Sequence, residues 1–217
     1  MTRRWLIAVA VGGYLLLAGV GVWWWWPSDR HVAPGTVQAS VLTADEASTA
    51  VGTTLVSEQS ASEPPPALTT DPAGCAVAAG PATDEVYTRG WTTFGSVTYQ
   101  DSEAVSDHTV IQVLGVYPDE ERSRQVFGDL ADGLKGCRSA VRTSGDQRVS
   151  AWTYSIDAAT ADALGWTATE NTGDGWACYR QARLKRTAVL QVGVCQAGDG
   201  KQAATAIADR FAARVGG

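Results

Sequence analysis

Setting aside an N-terminal apolar segment and its tail, the 217-residue chain leaves about 180 residues, one ordinary domain able to bury a real core. Its formal charge is −6, and because Arg3 and Arg4 contribute +2 at the N-terminus, the remainder carries −8. That balance opposes bulk electrostatic binding to nucleic acid or anionic headgroups, so nucleic acid is excluded as a partner.

Residues 1–4 hold Arg3 and Arg4, and an uncharged run of 22 residues follows, from Trp5 to Trp26. As a helix rising about 1.5 Å per residue, the run spans the hydrocarbon core. The arginines favour a cytoplasmic N-terminus, and the cluster Trp23 to Trp26 suits the opposite interface, where indoles sit among headgroups. No small-x-small site follows, as a cleaved signal peptide requires, and the first cysteine, Cys75, is too distant for a lipoprotein. The expectation is a retained single-pass plasma-membrane anchor at 5–26, a tether at 27–40 and one extracytoplasmic domain at 41–217. Ala8-x-x-x-Gly12 offers a small-x-x-x-small spacing through which the anchor could pack on another membrane protein.

Thr43 and Glu46 have capping-box spacing, and Ala47, Ala50 and Val51 give an apolar face before Gly52 stops the helix. Ser57 to Asp71, with Pro64-Pro65-Pro66, reads as a loop, and Gly74 to Ala79 as a short turn or helix. Alternation predicts a strand over Trp91 to Tyr99, and a run apolar on both faces predicts a central strand over Thr109 to Tyr117. Pro118 and Asp119, Glu120 and Glu121 open a helix whose stripe is Val126, Phe127, Leu130 and Leu134, ending at Gly136. Four strands follow, Val149 to Tyr154, Leu164 to Thr169, Trp176 to Leu184 and Thr187 to Cys195, with a turn at Asn171-Thr172-Gly173-Asp174-Gly175. A last helix covers Lys201 to Val215. The predicted order is helix, two strands, helix, four strands, helix: an α+β domain with one mostly antiparallel sheet packed by helices.

Four cysteines, Cys75, Cys137, Cys178 and Cys195, all fall outside the anchor. An even set in an oxidising compartment forms disulfides, with three pairings open, and the lack of C-x-x-C argues against zinc or redox chemistry. Cys178 and Cys195 flank the last expected hairpin, so their pairing would bridge adjacent strands and leave Cys75 with Cys137. In the chain-entropy view these closures contribute about 3 and 4 kcal/mol respectively.

Leu42-Thr43-Ala44-Asp45-Glu46, Gly74-Cys75-Ala76, the acidic helix leading to Gly136-Cys137 and the Trp176-Ala177-Cys178 to Cys195 hairpin together resemble the PknH-like extracellular (sensor) domain family of mycobacteria and related actinobacteria, over about Val41 to Val215. The resemblance implies an extracytoplasmic α+β domain with two disulfides in that same pairing and a groove for an unidentified ligand. Members occur on receptor Ser/Thr kinases and as kinase-free envelope proteins. With four residues before the apolar run, no kinase is expected on the inner side, and signalling would need a partner there.

Catalytic signatures are sparse. His31 lies in the tether, so a histidine triad would use His108 beside Asp107, yet strand neighbours point to opposite faces. No G-x-S-x-G, H-E-x-x-H or Walker A pattern occurs. Asp45-Glu46 and Glu120-Glu121 sit in first helical turns, where dipole complementarity accounts for them, and the Asp174 turn lacks calcium-loop spacing. No catalytic residue, cofactor or metal site is assigned. Trp91, Tyr99, Tyr117, Trp152, Tyr154, Trp166, Trp176 and Tyr179 are candidates to line a groove. The chain thus reads as a non-catalytic, membrane-anchored sensor-like domain binding a small molecule or envelope ligand. The alternatives are an envelope hydrolase without a familiar signature and an assembly module for another membrane protein.

Overall fold

The computed structural model describes residues 35–88, 90–143 and 148–215. The expected span at 5–26 and residues 1–4 lie outside the described residues, and among the described residues no helix is long and apolar enough to cross a membrane.

The elements in chain order are α1 (Gly35–Ser40), α2 (Ala44–Val51), β1 (Ser57–Ala61), β2 (Thr69–Asp71), a 3-10 turn (Ala73–Cys75), α3 (Ala76–Ala79), β3 (Thr93–Gln100) and β4 (His108–Val116). There follow α4 (Glu120–Gly136), β5 (Ser139–Thr143), β6 (Val149–Ala159), β7 (Ala163–Glu170), β8 (Trp176–Lys185), β9 (Ala188–Ala197) and α5 (Lys201–Val215). The nine strands form one sheet in the order β1-β3-β4-β9-β8-β7-β6-β5-β2, and each neighbouring pair is antiparallel. The fold is α+β.

Helix boundaries follow local chemistry. Thr43 caps α2 in a full capping box with Glu46, and Gly52 closes it at φ 77°, a left-handed conformation that glycine adopts without steric cost. Asp119 caps α4 by accepting the Arg122 N–H at 2.8 Å. The stripe of α4, Val126, Phe127, Leu130 and Leu134, is buried, as are Ala204, Ile207, Ala208 and Phe211 of α5.

Strand alternation then sorts the core into two layers. One face of the sheet packs under α1, α2 and α5, with Val97, Tyr99, Val110, Leu190, Ile207 and Phe211 in its core. The opposite face packs under α3 and α4, with Phe94, Leu130, Trp152, Leu164, Trp166 and both cysteine pairs.

Three sequence expectations need correction. The segment Ser57 to Asp71, expected as loop, contributes the two edge strands: β1 pairs with β3 and β2 with β5. Both are short, polar and largely exposed, so they carry no apolar alternation; backbone pairing holds them, and polar edges resist further strand addition. β5 was likewise unanticipated, because its five residues alternate over only Ala140 as a buried position. The tether expected to reach residue 40 is helical over Gly35–Ser40, where Val37 is buried against the position of Gly95. The strands also differ at their ends: β6 extends to Ala159, beyond the expected Tyr154.

Candidate ligand-binding face

The structure joins Cys75 to Cys137 (S–S 1.99 Å) and Cys178 to Cys195 (S–S 2.05 Å). Cys178 and Cys195 are direct cross-strand partners in the β8–β9 ladder, while Cys75 ties the 3-10 turn to the residue after α4. Both pairs lie in the α3/α4 layer.

That layer also holds an unusual polar set. Cys178 and Ala182 point into it from β8, so Arg180 between them faces the same way. Its strand neighbours are Trp166 on β7 and Gly193 on β9. The side chain lies over Gly193: a Cβ there would stand 3.4 Å from Arg180 Nη1 and 3.7 Å from Cζ. A Cβ would meet the guanidinium only at ordinary van der Waals distance, so the side chain lies along the sheet without depending on glycine.

The Arg180 Nε is buried without a hydrogen-bond partner, as are Trp166 Nε1 and the Tyr154 hydroxyl on the adjoining strands. Removal from water, and then repulsion from Arg142, pull the Arg180 pKa down to about 10, which still leaves the guanidinium charged at neutral pH. Burial pushes the Tyr154 phenol up, with Arg142 and Arg180 opposing. Arg142 reaches in from β5. Its guanidinium lies 4.0 Å from the Trp152 ring centroid, and its Nε donates to Ser150 Oγ at 3.2 Å, which also accepts from Trp152 Nε1 at 2.7 Å. Burial lowers the Arg142 pKa; Tyr154 and Glu170 act in the other direction. Arg142, Glu170, Trp176 and Arg180 each keep partial exposure, so the polar set reaches solvent.

The eight candidate aromatics separate. Trp152, Tyr154, Trp166 and Trp176 stand together on β6–β8 in this layer. Tyr117 is buried in the same layer, and Trp91 packs against Phe94 at 6.0 Å. Tyr99 and Tyr179 belong to the opposite layer, where their hydroxyls donate to Leu42 O (3.1 Å) and Gly198 O (2.6 Å). Arg180 and Arg142 were missed by sequence reasoning. Arg180 was legible through its parity with Cys178, while Arg142 lies on the strand that gave no signal.

His108 pairs with Asp101, not with the adjacent Asp107. Nδ1 lies 2.8 Å from Asp101 Oδ2, and Ser106 Oγ lies 2.9 Å from Asp101 Oδ1 and 2.6 Å from His108 O. Burial raises the Asp101 pKa, but hydrogen bonds from His108 and Ser106 outweigh it and hold the carboxyl below its usual range. Ser106 is thus on the carboxylate side of the imidazole, and the set clips the β3–β4 loop. Glu46 belongs to the α2 capping box and bonds Arg214 of α5; Glu120 pairs with Arg124 at 2.8 Å. Among the described residues no group of three or more His, Cys, Asp or Glu side chains could hold a metal ion.

A family model described as the PknH-like extracellular domain matches residues 32–214. Among solved structures, the extracellular domain of PknH from Mycobacterium tuberculosis is similar to the chain with a TM-score of 0.74 at 21% identity, covering 84% of this chain and 96% of that one. At that identity the likeness speaks for the fold. No curated protein sequence matches the chain.

Proposed function

From the premise that the chain belongs to the PknH-like extracellular domain family, we propose that it is a non-catalytic, membrane-anchored receptor for a cell-envelope ligand. The extracytoplasmic domain is sensor-like, and its two disulfides accord with an oxidising compartment. The Trp5–Trp26 run supplies the anchor, with the N-terminus cytoplasmic.

The observation that carries the binding role is the trio of buried, unpartnered polar atoms on β6–β8: Arg180 Nε, Trp166 Nε1 and the Tyr154 hydroxyl. Native proteins rarely leave such groups unpaired, and a bound molecule is one way to complete them. The absence of catalysis is supported by the histidine: Asp101 engages His108 Nδ1, and Ser106 is spent on the carboxylate rather than set against the far ring nitrogen.

The test is native mass spectrometry of the full chain extracted from its own membranes. A reproducible adduct released on unfolding is expected, and an empty chain in every extraction would refute the receptor role. Protease accessibility in intact cells checks topology: the C-terminal domain should be cut from outside.

A further inference from the structure

Resting on that receptor reading, we infer that the ligand is an oxyanion, a carboxylate or phosphate group, seated on Arg180 with Arg142 beside it. The domain is acidic, yet in this part of the α3/α4 layer Arg180 lies within the electrostatic reach of Arg142, which in turn feels Glu170 and Arg148. Among the described residues no carboxylate forms an ion pair with Arg180, whereas Arg124 and Arg186 share Glu120, Arg183 pairs with Asp209 and Arg214 with Glu46.

A half-buried arginine without a counter-charge is costly for a fold, since its desolvation has no Coulombic return. Its planar fork matches two oxygens of a carboxylate or phosphate. Trp166 Nε1 and the Tyr154 hydroxyl add donors on the same face, and donors are what an oxyanion requires. The guanidinium lies low against the sheet, its Nη1 and Cζ 3.4 and 3.7 Å from where a Cβ on Gly193 would stand.

The experiment follows thermal unfolding of the full chain in neutral detergent while sodium phosphate or sodium benzoate replaces sodium chloride at constant ionic strength. Binding to the native state raises the midpoint saturably. The wild type should respond to at least one of the two anions, which separates a phosphate site from a carboxylate site. Arg180→Met should unfold no earlier than wild type without anion, because an uncompensated charge has been removed. Its half-saturation should be weaker by at least about tenfold. Arg180→Lys, which keeps the charge without the fork, should show an intermediate response and serves if the methionine variant fails to fold.

Equal midpoints in phosphate, benzoate and chloride for the wild type, or an undiminished response in both variants, would overturn the inference. Native mass spectrometry of wild type and Arg180→Met separates it from the receptor reading. A neutral molecule retained by both leaves the receptor standing and removes the oxyanion. An empty wild type that no anion stabilises removes both.

Discussion

Beneath α1, α2 and α5, Gln112 is completely buried and completely satisfied: it accepts from Leu42 N at 2.8 Å and donates to Leu42 O at 3.0 Å. Across the sheet, beneath α3 and α4, Gln191 is buried too, but only its Nε2 is paired, to Pro81 O at 2.7 Å. Its Oε1 shares the unpartnered state with the Tyr87, Tyr117 and Tyr154 hydroxyls, Trp166 Nε1 and Arg180 Nε. Each buried orphan costs about 1–3 kcal/mol. Both disulfides lie in this second layer, and their contribution is of the same order. The first layer holds one such orphan among the described residues, Gln196 Oε1 beside Val194 and Tyr179, against six in the second, and the second, the more tolerant of the two, alone is cross-linked.

The largest effect should come from unstapling the tolerant layer. Cys75→Ala with Cys137→Ala opens a closure of 62 residues and should lower the unfolding free energy of the full chain by about 4 kcal/mol; Cys178→Ala with Cys195→Ala opens one of 17 and should cost about 3. Denaturant unfolding in detergent measures both. Losses below about 1 kcal/mol for each pair would break the link between cross-linking and tolerance.

Paired glutamine substitutions sharpen the contrast at smaller scale. Gln112→Leu strands the Leu42 N–H and leaves its carbonyl to Tyr99 alone, so it should destabilise by about 2 kcal/mol. Gln191→Leu loses a single bond and removes an existing orphan, and should cost less than about 1 kcal/mol. A reversed order in the same unfolding assay would show that the two layers do not differ as their hydrogen bonding indicates.

The same division explains what could be read from sequence. Elements that bury an apolar face were legible: α4 through Val126, Phe127, Leu130 and Leu134, β4 and β9 through runs buried on both sides, α2 through its capping box. β1 and β2 were not, because an edge strand held by backbone pairing needs no apolar alternation, and Ser57–Ala61 has none. Helix α1 was hidden because six residues give too little periodicity. Of the candidate site, the cysteines and the β6–β8 aromatics were visible as residue types. The arginines were not read, since a charged residue on a strand reads as solvent-facing; parity with Cys178 was the one signal that turns Arg180 inward, and Arg142, on β5, had none.

The smallest expected effect concerns the turn that both layers share. β3 and β4 supply Val97 and Val110 to one layer and Phe94 and Val113 to the other, so the Asp101–His108–Ser106 clip fixes a register on which both depend. Because the Asp101 carboxyl is held below the usual range near about 3.9, its charged form is favoured by folding, and its contribution is complete above that value. As pH falls further, through the lower folded-state pKa, the contribution is lost. Asp101→Asn should therefore cost about 1 kcal/mol at pH 6 and progressively less on acidification below the usual carboxylate range, so that the midpoints of variant and wild type draw together. Thermal unfolding between about pH 3 and pH 6 measures this. Curves that stay parallel would mean that the clip acts through the shape of the turn, and that the charge on Asp101 contributes nothing to holding the two layers in register.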